Sequence, residues 1–215
     1  MKAGEWLFPK KIVNSSKFCV IHNAVDREKY RYSVQKREEI RGSMGITDQF
    51  VIGHVGNFCY QKNHYFLLDV FEEVHKKDPN TVLLLAGDGV RFEKVRQIVA
   101  EKNLEDVVKL LGRRSDTDYL YQGMDAFLLP SNFEGLPIAG IEAQSAGLPC
   151  FMSDEITKES KITEACYFIP LKSGAKYWAE EILDNRMERQ SAEFLDNAEQ
   201  YDLANQDQEL KSLIR

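Results

Sequence analysis

Between Gln49 and Ile169 the chain repeats one pattern, a short β-branched apolar run followed by apolar residues at helical spacing. No other feature constrains the fold as much. Phe50-Val51-Ile52-Gly53-His54-Val55-Gly56 has the length and branching of a strand, and Asn63 to Lys77 then places Phe66, Leu67, Val70, Phe71 and Val74 on one helical face. Asp78-Pro79-Asn80 ends that helix, and Thr81 to Ala86 is the second strand. A helix over Phe92 to Lys102, a strand over Val107 to Leu111 and a short helix over Ser115 to Gly123 follow. Asp125 to Pro130 is the fourth strand. Pro137 to Ala146 is a helix with proline at its first position and Gly147 past its end. Pro149 to Ser153 and Ala165 to Ile169 read as the fifth and sixth strands. A parallel pair needs a long crossover, usually a helix. The alternation therefore predicts a doubly wound α/β fold, a Rossmann-like parallel sheet of about six strands covered on both faces.

The ends depart from that unit. Lys17 to His22, with Phe18-Cys19-Val20-Ile21 at its centre, reads as a strand without an α/β partner before it, and Gly4 to Val13 as a helix fragment or a linker. Ser173 to Asp202 reads as a run of polar, amphipathic helices, and Asn205 to Arg215 as a last helix or a frayed tail. The expected division is residues 1–26 as a remnant and linker, 27–190 as the Rossmann-like domain and 191–215 as a helical tail.

Composition removes several classes. The 215 residues leave room for one sizeable domain with extra pieces at its ends. Lys plus Arg number 28 against 34 Asp plus Glu, a net charge of −6. That sign disfavours sequence-independent nucleic-acid binding, which rests on neutralising phosphates. No run approaches a membrane span, and an acid at Glu5 stands where a secretory signal needs apolar residues, so the expected location is cytoplasmic. Cys19, Cys59, Cys150 and Cys166 have no metal-site spacing and read as structural thiols, with Cys19 and Cys150 inside apolar runs. His22, His54, His64 and His75 also lack metal spacing. Asp116-Thr117-Asp118 reads as a helix start with Ser115 as N-cap, acids being favoured in a first turn.

In open parallel sheets ligands bind outside the carboxyl ends of the strands. Three loops there carry glycine directly after the strand (Gly56, Gly87 and Gly112), where backbone can approach a nucleotide or phosphate closely. The most informative segment is Ser131-Asn132-Phe133-Glu134-Gly135-Leu136-Pro137-Ile138-Ala139-Gly140-Ile141-Glu142-Ala143. The helix opened by Pro137 presents free N–H groups and a positive dipole end to its loop, which suits a diphosphate. Glu134 and Glu142 could accept from sugar hydroxyls on either side. Taken alone, they read as readily as a helix-dipole partner and a solvated side chain.

These strings together resemble a family. Phe133-Glu134-Gly135-Leu136-Pro137 with Glu142-Ala143 is similar to the Glu-x7-Glu signature of the retaining glycosyltransferases of family 4, the group 1 transferases. So are Val55-Gly56 with Gln61-Lys62-Asn63-His64, Leu85-Ala86-Gly87-Asp88-Gly89, Leu111-Gly112-Arg113, Met124 to Ser131 and Ala146-Gly147-Leu148-Pro149. Val20-Ile21-His22-Asn23-Ala24-Val25-Asp26 resembles the segment joining the two halves of the family's GT-B fold, and exopolysaccharide and capsule-type members share the most.

The resemblance implies the C-terminal, donor-binding half of a hexosyltransferase using a nucleotide-sugar, UDP-linked by expectation, with no metal or other cofactor. It places Glu134 near the donor sugar as the catalytic residue and Glu142 on the ribose hydroxyls. Lys62 falls on the diphosphate, with Gly56 and Gly87 close to the nucleotide, Arg113 at the base, and the backbone from Gly135 and Leu136 through Pro137 to Ile138 toward the phosphates. Asn57 stands where many members carry an arginine, leaving Lys62 and the dipole, or Arg113 or Arg114, to balance the charge. An N-terminal acceptor domain is expected as partner, in cis or as a separate chain, along with a sugar or lipid-linked sugar acceptor. An apolar patch of Trp6, Leu7, Phe8 and Phe18 to Ile21 would face that domain and could drive self-association. The alternatives are a subunit of a split transferase and a nucleotide-sugar epimerase of similar fold.

Overall fold

The computed structural model describes residues 6–15 and 18–213. Its strands are β1 (Phe50–Val55), β2 (Thr81–Ala86), β3 (Val108–Gly112), β4 (Ala126–Leu129), β5 (Cys150–Ser153) and β6 (Cys166–Ile169). They pair in parallel in the order β3-β2-β1-β4-β5-β6. The helices are α1 (Lys10–Val13), α2 (Arg27–Tyr30), α3 (Val34–Ser43), α4 (His64–Lys77), α5 (Phe92–Glu101), α6 (Thr117–Gly123), α7 (Ile138–Ser145), α8 (Gly174–Asp184) and α9 (Leu203–Leu213). A doubly wound sheet, as predicted, is what forms.

Strand alternation sorts the apolar residues into two cores. Val51, Val82, Leu84, Phe127 and Leu129 meet Ile40, Leu120, Tyr121 and Ile141 of α3, α6 and α7 on one face. Ile52, Leu83, Leu85, Leu128 and Phe151 meet Leu67, Phe71, Val95 and Trp178 of α4, α5 and α8 on the other. Each such side chain contributes roughly 1.5–3 kcal/mol by leaving water, so near-continuous apolar strands are what a sheet covered on both faces requires. α7 stops at Gly147, where φ is +71° and a Cβ would lie 2.1 Å from the Gln190 carbonyl oxygen, so only glycine fits.

Several expectations at the ends are corrected. Residues 18–22 form no strand: the sheet ends at β3 and β6, and a β-branched run without a neighbouring ladder has nothing to pair with. Instead Val25 bridges to the far end of the chain, its N–H donating to Tyr201 O at 2.8 Å and its carbonyl accepting from Leu203 N at 3.1 Å. Cys19 is exposed rather than packed. Residues 1–5 and Lys17 lie outside the described residues; within the segment expected as a helix fragment or linker, Trp6 and Leu7 are helical and α1 follows after a break at Phe8 and Pro9. Trp6, Leu7, Phe8, Val20 and Ile21 are exposed.

The helical run from Ser173 to Asp202 is broken after α8. Residues 186–195 carry no helix; Phe194 bridges antiparallel to Thr163 and Leu195 N donates to Ile162 O at 2.9 Å, before a 3-10 turn at Asp196–Tyr201. That turn buries Ala198 and Tyr201 in the first core, and α9 follows it. α3 has no counterpart in the sequence reading, because its buried positions are Ile40 and an arginine, Arg41.

Candidate functional site

The strand order reverses between β1 and β4, and the loops that leave their carboxyl ends carry Lys62 and Glu134. Four such loops are stitched together through their backbones. Gly56 N donates to Ala86 O, Phe58 N to Asp88 O, Gly87 N to Gly112 O and Asn132 N to Gln61 O, all between 2.8 and 3.0 Å. Gly87 (φ +142°) is required by that stitching, since a Cβ there would stand 2.0 Å from Gly56 O. Its glycine is explained by loop packing before any ligand is considered.

Between the loops lies a cleft of about 840 Å³. Gly56, Asn57, Lys62, Gly87, Arg113, Glu134, Leu136, Pro137, Ile138 and Glu142 all line it, so nearly every candidate from the sequence meets at one place. Gly135 does not; it is exposed beside the cleft. Pro137 is the N-cap of α7 rather than its first residue, and its carbonyl accepts from Gly140 and Ile141. The N–H groups of Ile138 and Ala139, in the first turn, have no intrahelical acceptor and face the cleft end of the helix dipole.

Lys62 and Glu134 are joined: Lys62 Nζ stands 2.5 Å from Glu134 Oε1, which also accepts from the buried Ser131 hydroxyl at 3.1 Å. Oε2 receives no hydrogen bond from a described residue. Glu142 is held on both oxygens, Oε1 by the Tyr30 hydroxyl at 2.7 Å and Oε2 by the Tyr121 hydroxyl at 2.9 Å. Burial, followed by the nearby Glu142 charge, pushes the Tyr121 phenol well up, and burial does most to raise Tyr30 as well. Neither tyrosine was singled out from the sequence. Tyr30 lies 112 residues from Glu142, and no spacing rule connects them.

Beneath Lys62 sits a second group the sequence left without a role. His54 and His64 are buried edge to face at 4.8 Å, and His64 stacks on Phe58 at 4.0 Å. Burial, with the Lys62 and Arg91 charges, brings His64 down to about 4; burial and His64 also lower His54. At neutral pH both are uncharged floor.

At the rim, Arg114 is committed to Asp116 through two hydrogen bonds, the longer of them 2.8 Å, while Arg113 is exposed on the cleft with no ion pair to a described residue. Asp116, not Ser115, occupies the N-cap of α6, and it makes no side-chain capping bond because Arg114 holds it. Asp118 is buried against Lys29 at 3.5 Å. Among the described residues no group of three or more His, Cys, Asp or Glu could hold a metal ion, and no helix is long and apolar enough to cross a membrane.

Residues 36–201 match the family model described as "Glycosyl transferases group 1". The chain belongs to the group 1 glycosyl transferases. Among its relatives is a Bacillus subtilis (strain 168) chain carrying the name glycosyltransferase EpsF, 34% identical over 158 residues, which are 73% of this chain and 41% of the relative. Another is UDP-Gal:alpha-D-GlcNAc-diphosphoundecaprenol alpha-1,3-galactosyltransferase of Escherichia coli, 33% identical over 146 residues, 66% of this chain and 38% of that one. The chain thus spans about two-fifths of the length of these curated relatives. In fold it is similar to Anabaena Alr3699/HepE, solved in complex with UDP and glucose, with a TM-score of 0.78 at 21% identity, covering 91% of this chain and 56% of that one. The sheet and its flanking helices are those of a Rossmann-like half of a GT-B glycosyltransferase.

Proposed function

We propose that this chain is the donor-binding half of a retaining hexosyltransferase, taking a UDP-sugar without a metal ion, in the making of an exopolysaccharide or capsule. The observation that carries the reading is the meeting of Lys62, the first turn of α7, Glu134 and Glu142 around one cleft at the switch point of the sheet. Lys62 and the α7 dipole supply positive charge for a diphosphate, and Glu142 supplies acceptors for a ribose. Lys62 pairs with Glu134 across the floor of the cleft. An arriving diphosphate, carrying more charge than a carboxylate, draws the ammonium over and leaves Glu134 for a sugar hydroxyl. The two nearby carboxylates of Asp116 and Asp118 are engaged by Arg114 and Lys29, which supports phosphate neutralisation by side chains rather than a metal. UDP-Gal in the name of the Escherichia coli relative and the UDP bound to the structurally similar Anabaena protein support the nucleotide.

A nucleotide-sugar donor goes with a cytoplasmic site of action, at the inner face of the membrane where the acceptor is lipid-linked. Transfer needs donor and acceptor held together. In this reading the acceptor sits on a second domain, in cis or on another chain, and the isolated chain transfers no sugar. Calorimetric titration with UDP and UDP-sugars in the presence of a chelator tests the reading. Binding is expected under those conditions. Glu142→Ala should weaken free UDP, whereas Glu134→Ala should chiefly remove the extra affinity contributed by the sugar. No binding of any nucleotide, or binding only with added magnesium, would overturn the assignment.

A further inference from the structure

Glu142 is held by two phenols that come from outside its own helix. Tyr30 closes α2, the short helix that follows the segment expected to join the two halves of the enzyme. Tyr121 lies in α6 and is wholly buried. Their rings meet edge to face at 5.8 Å, and each donates to a different oxygen of the carboxylate.

α2 is itself fixed at its amino end. The Asp26 side chain caps it by accepting from Lys29 N at 3.2 Å, and Arg27 pairs with Asp202 at 2.5 Å. At its carboxyl end, the buried Gln122 amide donates to the Tyr30 carbonyl at 3.0 Å. The Tyr30 hydroxyl is therefore delivered to Glu142 by backbone anchored on each side.

A carboxylate has about four acceptor sites, two on each oxygen. The two phenols use one on each oxygen and leave one on each. That remainder matches the two adjacent hydroxyls of a ribose, and Glu142 lines the cleft where they would lie. A glutamate side chain has three torsions and, unheld, loses rotamer freedom when it binds. The phenols meet that cost in advance.

We propose that Tyr30 and Tyr121 are positioning residues that orient Glu142 so that its remaining lone pairs read the vicinal diol of the donor's ribose. This rests on the donor-binding reading above, including its assignment of Glu142 to the ribose, and adds the two phenols that position that carboxylate. It also makes α2, next to the joining segment, part of the nucleotide site.

The test compares UDP with 2′-deoxy-UDP by titration on the whole chain. The wild-type chain should prefer UDP by about tenfold, one charged hydrogen bond's worth of discrimination. Tyr30→Phe and Tyr121→Phe keep the ring and remove only the hydroxyl. Each should lower UDP affinity about three- to tenfold and leave 2′-deoxy-UDP nearly unchanged, so that the preference shrinks toward one. A purely structural role would weaken both nucleotides alike and preserve the ratio. In Glu142→Ala the preference should already be gone, and adding Tyr30→Phe should change nothing more. An undiminished ratio in both tyrosine variants overturns the inference, as does a wild-type chain that binds UDP without preferring it. Failure to bind any nucleotide would instead bring down the donor-binding reading, and this inference with it.

Discussion

Asp125 and Glu134 stand at opposite ends of strand β4, and both are shielded from solvent, yet they are held in different ways. Asp125, at the amino end, accepts from Arg37 at 2.5 Å, from Arg41 at 3.1 Å and from Val51 N–H at 2.8 Å, using both oxygens. Arg41 then spends its other donors on the carbonyls of Gly123, Thr47 and Gln49. Glu134, at the carboxyl end, has Lys62 and Ser131 on a single oxygen beside an 840 Å³ cleft. Two planar guanidinium groups and a backbone donor lock α3 to the sheet, whereas one lysine on a flexible stem can change partners. Burial alone does not separate a joint from a site. The number of partners and the presence of open space beside them do.

The comparison breaks most directly at Asp125. Asp125→Ala strands two arginines in a mostly buried setting and should cost about 3–5 kcal/mol of unfolding free energy. Glu134→Gln should cost no more than about 1.5 kcal/mol, because the Lys62 ammonium can turn into cleft water. Urea denaturation of the two variants checks this, and equal losses would show that the ends of β4 do not differ.

The floor of the Glu134 end should respond to acid. The unfolded chain protonates His64 near the usual histidine value of about 6.5, whereas the folded chain resists until about 4. Between those values the unfolded state binds the extra proton. Stability is therefore intact above pH 6.5 and falls as pH drops toward 4, by up to about 3 kcal/mol from this group. His54, lowered in the same direction, steepens the fall. Denaturation curves across that range should flatten in His64→Leu, and an unaltered slope would show that His64 is not the group being titrated.

Smaller effects sharpen the functional half of the comparison. Lys62→Ala should weaken UDP by about ten- to a hundredfold, the loss of a charge-assisted bond, with the melting temperature nearly unmoved. Arg41→Met, by contrast, should lower the melting temperature and leave the affinity of the folded fraction unchanged. Asn57→Arg brings a cation to the cleft and should tighten UDP by up to about tenfold. Unchanged or poorer affinity in that variant would mean that position 57 does not meet the phosphate.

The sheet was legible because its signal is local and repeated. Runs such as Val82-Leu83-Leu84-Leu85 bounded by Pro79-Asn80 and Gly87 name a strand without reference to anything else, and six of them in alternation with helices admit one class of fold. The cleft was legible for the same reason, since strand ends and a helix start converge wherever such a sheet changes direction. α3 was not legible, because its buried side is Ile40 and an arginine whose charge is satisfied by Asp125, 84 residues away.

Sequence by itself thus determined the parallel sheet, its two apolar faces and the loops that border the cleft, which follow from periodicity and from turn residues at strand ends, while the particular residues Lys62, Arg113, Glu134 and Glu142 were picked out by resemblance to the family's motifs. Only the tertiary structure decided who holds whom. Lys62 rests on Glu134, Glu142 on Tyr30 and Tyr121, Asp125 on Arg37 and Arg41, and Val25 on residues 201 and 203. A hydrogen bond depends on a few tenths of an ångström between groups brought together from distant parts of the chain, and no local pattern encodes that distance.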